Sequence, residues 1–433
     1  MQREPDKVTL RSYHVGFGDC FLLSFHYDDQ TERNVLIDFG STQTPQGKPG
    51  VLIDTARSIR ERTNGQLTAV VATHRHKDHI DGFRTSDTGE APGNIIRECH
   101  PRLVMQPWTE QPDLDTSATA PPDRKSFAAA LQDLHAISEA IAKEAHFYAE
   151  MGMADQLAFL GENNLPNPSA IKNLMSMGES AEYVHFGYAS ALTTLLPGVN
   201  VSVLGPPTLE QSAAIKHQRS HDEEEFWHLW QQRVRAAKPG FSNGGPNPTI
   251  TESRLAPVFA CAPRYSPAEN PPQARWFRRK MQEMRGRELL DLVRTLDKVL
   301  NNTSVILLFE FCGKKLLFPG DAQIENWAYA LDQDDICEKL KDVNLYKVGH
   351  HGSLNATPKS LLDLFKNKRS GDGQTTAPMK TVVSTLAGKH GHPEDGTEVP
   401  RVRLVSELKE KTEYYTTQFM EGSMDFYHDI EIL

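Results

Sequence analysis

Leu67-Thr68-Ala69-Val70-Val71-Ala72-Thr73-His74-Arg75-His76-Lys77-Asp78-His79-Ile80-Asp81-Gly82 decides the reading of this chain. An apolar run with strand character ends in four nitrogen or oxygen ligands, His74, His76, Asp78 and His79, within six positions. A helix or a strand would splay them onto several faces, so they converge only on a curled loop at a strand end. Imidazole and carboxylate together suit zinc, manganese or iron, and a pair of such ions needs a bridging carboxylate. The competing reading, a solvated connection that happens to hold three histidines, does not account for an intact HxHxDH after a buried strand.

Around this loop the N-terminal third alternates apolar runs with Gly and Asp turns. Val8 to Tyr13, Phe21 to Phe25 and Asn34 to Ile37 are predicted strands, Val51 to Arg62 a helix, and Arg102 to Gln106 a further strand. Pro122 to Met151 carries a helical stripe that opens an insertion, taken as residues 111–180. Strand signals return at Leu192 to Leu196 and Val199 to Leu204. A second insertion, 208–300, is charged at first, then rich in Pro, Gly, Asn and Ser over 238–272, and helical from Gln273 to Leu300. Strands are expected again at Ser304 to Cys312, Lys314 to Phe318, Asn344 to Val348, Thr381 to Thr385 and Tyr414 to Gln418, with a helix through Trp327. No GxGxxG follows a strand, and β-rich halves interrupted by helices favour an α/β sandwich over a parallel Rossmann sheet.

The whole sequence of 433 residues reads as one elaborated catalytic domain. Its net charge of -10 repels nucleic acid or an anionic membrane unless a local basic face or bound cations intervene. The start is polar, and no apolar run approaches the roughly 20 residues needed to span a bilayer, so a cytoplasmic protein without membrane contact is expected. Five cysteines, Cys20, Cys99, Cys261, Cys312 and Cys337, lack CxxC spacing and read as reduced, mostly buried thiols.

Further motifs resemble the metallo-β-lactamase superfamily, and within it the hydrolase domain of ComEC-type competence proteins. His14-Val15-Gly16-Phe17-Gly18-Asp19 before Phe21-Leu22-Leu23 looks like that domain's opening, and Leu36-Ile37-Asp38-Phe39-Gly40 like its second strand and turn. Asn301-Asn302-Thr303-Ser304, Phe318-Pro319-Gly320-Asp321, Lys347-Val348-Gly349-His350-His351-Gly352-Ser353 and Gly391-His392-Pro393 follow in family order over roughly half the chain.

The resemblance implies a metallo-β-lactamase αββα sandwich with two mainly helical insertions, and two divalent ions, Zn2+ or Mn2+. It implies that His74 and His76 bind one ion, Asp78 and His79 the other, that Asp321 bridges, and that His350 completes the second position. Asp78 and Asp321 then also serve catalysis by orienting water. His351 is expected at substrate phosphate or as a proton donor, and His392 from a late loop. Many superfamily members bring a third histidine to the first ion from a Gly-His-Thr turn. Leu300-Asn301-Asn302-Thr303 has none there, which leaves that position short of ligands, filled by water, or completed by an insertion residue such as His185. Asp19 and Asp38 are expected to orient ligating imidazoles or to serve their turns.

The family's chemistry points to a metal-dependent phosphodiesterase or nuclease acting on DNA or RNA. Hydrolysis of small esters, lactones or thioesters, or a metal-stabilised interaction subunit with partner proteins on the insertions, are the alternatives. Arg275-Trp276-Phe277-Arg278-Arg279-Lys280, with Arg285 and Arg287, is the one clearly basic segment. It reads either as a solvated helix face or as a guide for a nucleic-acid strand.

Overall fold

A computed structural model describes residues 4–28, 31–111, 167–216, 300–369, 377–386, 388, 398–419 and 426–432. Among the described residues thirteen strands form two sheets. The first contains β1 (Lys7–Tyr13), β2 (Cys20–His26), β3 (Glu32–Phe39), β4 (Ala69–Val71), β5 (Leu103–Pro107), β6 (Ser180–Val184) and β13 (Tyr427–Ile432), in the order β13-β1-β2-β3-β4-β5-β6. The second contains β7 (Asn200–Gly205), β8 (Ile306–Phe311), β9 (Lys314–Phe318), β10 (Leu345–Lys347), β11 (Lys380–Val383) and β12 (Glu413–Thr416), in the order β12-β11-β10-β9-β8-β7. Each sheet is antiparallel in one half and parallel in the other: β3 to β6 run parallel, as do β9 to β12.

Alternation along the strands builds the layers, because successive side chains leave a strand on opposite faces. Phe21, Leu23 and Phe25 of β2 join Val35 and Ile37 of β3 in a core shared with Leu307, Phe309, Leu316 and Phe318 of the second sheet. Their neighbours Leu22, Leu36 and Val70 point the other way, onto α1 (Val51–Arg62), α3 (Pro92–Arg97) and α4 (Pro168–Ser176). Between α1 and α3 lies the short α2 (Lys77–Ile80). On the far side Ile306, Leu308, Leu317 and Tyr346 meet α6 (Ile324–Leu331), α7 (Asp334–Leu340), α8 (Lys359–Leu364) and α9 (Val402–Lys411). The architecture is a mixed α/β one, with helices outside two facing sheets.

Leu192 to Leu196 is a correction: it is the one-turn helix α5 (Leu192–Leu195), not a strand. Leu192 and Leu196, four apart, are the buried pair, and the Leu192 N–H donates to Ser190 Oγ at 3.0 Å. β6 and β13 were not anticipated. Most of β6 is exposed or half-buried, so no apolar signal marks it. The thiols are also less uniform than expected: Cys20 and Cys99 are buried, Cys337 is half-buried and Cys312 exposed, while Cys261 lies outside the described residues.

Both insertions fall largely outside the described residues. Of 111–180, the end is seen as α4 leading into β6; of 208–300, only the first residues and Leu300 are seen. Among the described residues no helix is long and apolar enough to cross a membrane.

Candidate metal centre

The C-terminal ends of β3, β4, β9, β10 and β11 meet at one edge of the two sheets, where loops are freed from the ladders and open α/β sheets place their sites. β2 and β8 run antiparallel to β3 and β9, so the segments entering them, with Asp19 and Ser304, reach the same edge. His74, His76, Asp78, His79, Asp321 and His351 are all at most 2% exposed there.

One group closes tightly: Asp78, His79, Asp321 and His351 each offer a ligand atom, all within 4.8 Å of one another. His79 Nε2 lies 3.0 Å from Asp321 Oδ2, and His351 Nε2 lies 3.1 Å from Asp78 Oδ2. Apart from the His79–Asp321 ion pair, His79 Nε2, Asp78 Oδ1 and Asp321 Oδ2 are buried without a hydrogen-bond partner among the described residues. Buried ligand atoms left unsatisfied around a common centre are what a metal position looks like when its donors are in place. His74 Nε2 and His76 Nδ1 converge to 2.9 Å, and Asp321 Oδ2 is 4.0 Å from His74 Nε2. Asp321 thus stands between the two sets, as a bridging carboxylate must.

The outer nitrogens are tied down. Asp38 Oδ2 accepts from His79 Nδ1 at 2.8 Å, so the other nitrogen of that ring keeps its lone pair for the centre. Asp38 also accepts from the Thr73 N–H at 2.7 Å and the Thr73 hydroxyl at 2.8 Å. With its proton given to Asp38, Thr73 Oγ1 can only accept from His74 Nδ1, 3.2 Å away, which again leaves Nε2 inward. The Ser384 carbonyl accepts from His351 Nδ1 at 2.8 Å. Asp38 thus bonds both the His79 imidazole and the Thr73 turn, so it combines the two roles between which the sequence left it.

His351, and not His350 as expected, joins the buried group. His351, fully buried, belongs to the four-residue group, whereas His350 is half-buried, with Nε2 3.9 Å from Asp321 Oδ2 and Nδ1 2.9 Å from Ser353 Oγ. Both adopt left-handed backbone, φ 42 and 52. The two rings differ in their contacts: His351 runs inward between Asp78 and the Ser384 carbonyl, while His350 turns to Ser353. His185 is engaged with the Phe186 carbonyl and the Tyr188 ring. His392 and the Arg275–Arg287 segment lie outside the described residues.

Lys347 was not anticipated as a site residue. Its ammonium is buried, ion-paired with Asp19, 3.6 Å from Asp321 Oδ1, and donates to the Gly320 carbonyl at 3.1 Å. A lone lysine closing the apolar stretch Leu345 to Val348 was the available signal, since lysine is rarely buried unpaired.

Electrostatics follow from this packing. Burial disfavours charge on His79, but Asp321, Asp38 and Asp78 outweigh it and hold the imidazole well above its usual range. His351 is likewise raised against burial, chiefly by its hydrogen bond to Asp78. Burial alone would raise Asp321, yet His79, His350 and Lys347 hold it well below the usual carboxylate range. Burial also opposes charge on Lys347, and Asp19 and Asp321 reverse that, keeping it an ammonium. A divalent ion held by this group would take the place of the protons that these carboxylates favour on His79 and His351, freeing the inward lone pairs. The donor set fits a divalent metal ion.

The chain matches no protein-family model and no curated protein sequence.

Proposed function

We propose that the chain is a metallo-β-lactamase-fold hydrolase, similar to the ComEC-type hydrolase domain, that cleaves phosphodiester bonds in DNA or RNA with two divalent ions. The observation that carries the reading is the buried group Asp78, His79, Asp321 and His351, with His74 and His76 converging beside it. Helices outside two facing mixed sheets, and ligands arriving in chain order at one sheet edge, support the fold assignment.

Charge supports the substrate class. Asp19, Asp38, Asp78 and Asp321 are buried with Lys347, which leaves three negative charges when all are ionised. One dication leaves an excess of negative charge. Two turn the centre positive, which suits a phosphodiester in a chain of net charge -10. Two such ions, when bound, acidify water and polarise phosphoryl oxygens. The chain's own residues would fix the geometry: Asp321 Oδ2 lies between the two sets, Asp38 and Ser384 would hold His79 and His351 in the ligating tautomer, and His79, His350 and Lys347 keep Asp321 ionised. In the reaction water oxygen bonds to phosphorus, the bond to the leaving oxygen breaks, and that oxygen takes up a proton.

Metal analysis of purified protein, joined to assays on single-stranded DNA, duplex DNA, RNA and bis(p-nitrophenyl) phosphate, tests this. We expect bound divalent metal and phosphodiester cleavage. His79→Ala and Asp321→Asn should lower the rate by more than the roughly 10–100-fold typical of outer partners of a metal site. Hydrolysis of esters, lactones or thioesters alone would replace the substrate class. Full activity of metal-free protein in chelator would refute the reading.

A further inference from the structure

His74 and His76 offer two nitrogens, and Asp321 Oδ2 a shared oxygen, to the first ion. Three donors are one short of the smallest common set. The wall beside them is the turn from Leu300 to Ser304 that leads into β8. It is tied to the ligand loop through Val305 N, which donates to the Thr73 carbonyl at 2.9 Å, and to the bridging residue through Asp321 N, which donates to Ser304 Oγ at 3.3 Å. Within the turn, Thr303 Oγ1 donates to the Leu300 carbonyl at 2.7 Å and Ser304 N to the Asn301 carbonyl at 3.1 Å.

The two asparagines of this turn differ. Asn302 sends Nδ2 to Glu325 Oε2 at 3.2 Å, towards α6. Asn301 is 0% exposed, and among the described residues neither Oδ1 nor Nδ2 has a hydrogen-bond partner. A buried carboxamide left wholly unpaired loses its hydration with nothing in return, so such a group is expected to have a partner that is not protein. The other unpaired atoms at this edge include His79 Nε2, Asp78 Oδ1 and Asp321 Oδ2, which the metal reading already accounts for.

We infer that Asn301 Oδ1 is a ligand of the first ion, beside His74, His76 and Asp321. With two oxygens and two nitrogens, that position favours manganese over zinc, because carboxamide and carboxylate oxygens suit the harder ion. The inference rests on the two-metal reading above.

The test is equilibrium dialysis with elemental analysis of the full chain, using Mn2+ or Zn2+ alone, for wild type, Asn301→Ala, Asn301→Asp and Asn301→His. Wild type should bind two Mn2+. Asn301→Ala should keep the ion held by Asp78, His79, Asp321 and His351 and lose affinity for the other by about 10–100-fold. Asn301→Asp, of the same shape, should bind both at least as tightly. Asn301→His should move the preference of that position towards Zn2+ by about 10-fold or more, since imidazole suits zinc. The melting temperature of metal-free Asn301→Ala should not fall, because the substitution removes only unpaired polar atoms. Fewer than two ions on wild type would defeat the two-metal reading itself. Two ions on wild type, with the same two at unchanged affinity on Asn301→Ala, would overturn the assignment of Asn301 alone. So would equal weakening of both ions together with a lowered metal-free melting temperature, which would make Asn301 a support of the fold.

Discussion

Asp38 sits at φ 54, in the left-handed region that residues with a Cβ avoid, and from there its carboxylate holds Thr73 and His79 together. Such a conformation persists only where its surroundings over-determine it, and here they include two glycines. A Cβ on Gly40 would stand 2.5 Å from the His79 nitrogen and the Asp78 carbonyl carbon, and one on Gly18 would stand 2.2 Å from the Gly40 carbonyl oxygen. These are backbone atoms of the ligand loop and its cradle, which cannot move without moving the ligands. Gly40→Ala should therefore lower stability by about 1–3 kcal/mol, as overpacking of an interior does, and weaken metal binding as well. Chemical denaturation and metal titration check both, and an unchanged metal affinity would show that the loop is not held by this contact.

At the scale of elements, the parallel strands β3, β4, β9, β10 and β11 deliver the site, while the antiparallel ones close the sheets. β13 shows what the latter contribute: it pairs with β1 from Val8 opposite Ile432 to Tyr13 opposite Tyr427, and Ile430 and Ile432 enter the core between the sheets. Ile430→Ala should cost about 2–5 kcal/mol, the range for emptying a large aliphatic position in a core. Metal affinity of the folded variant should not change, because β13 lies at the sheet margin beyond β1. Denaturant melts and metal titration separate the two effects. Most strands were legible as short β-branched and aromatic runs. Those that were not are polar, like β6, or carry little burial, like β13, whose exposed His428, Asp429 and Glu431 mask the alternation of its two buried isoleucines.

For the whole molecule, pH enters through a residue outside the ligand set. His14 is buried, both ring nitrogens lack partners among the described residues, and burial, with the nearby charges of Lys48 and His428, pushes its pKa down to about 4. The unfolded chain binds a proton there near pH 6.5 and the folded one only near 4, so stability rises with pH across that window and falls on acidification through it. His79 and His351, raised in the folded state, act with the opposite sign in metal-free protein, so the comparison must be with His14→Phe. The stability of wild type relative to His14→Phe should decline between pH 6.5 and 4 and be level above it. A level difference throughout would mean that the ring is solvated. The sequence by itself determined the α/β class and the clustering of His74, His76, Asp78 and His79 at a strand end, because both are local; the expected curled loop holds for His74 and His76, whereas Asp78 and His79 lie on the short helix α2. Asp321 was pointed to by the family resemblance and not by its turn, and Asp38 was left between orienting an imidazole and serving its own turn. Only the tertiary structure decided between His350 and His351, because the ring that enters the group is the one that meets Asp78, 273 positions earlier in the chain, and the Ser384 carbonyl. It alone placed Lys347 against Asp19, and left Asn301 buried and unpaired, because both depend on two sheets bringing the same edge together.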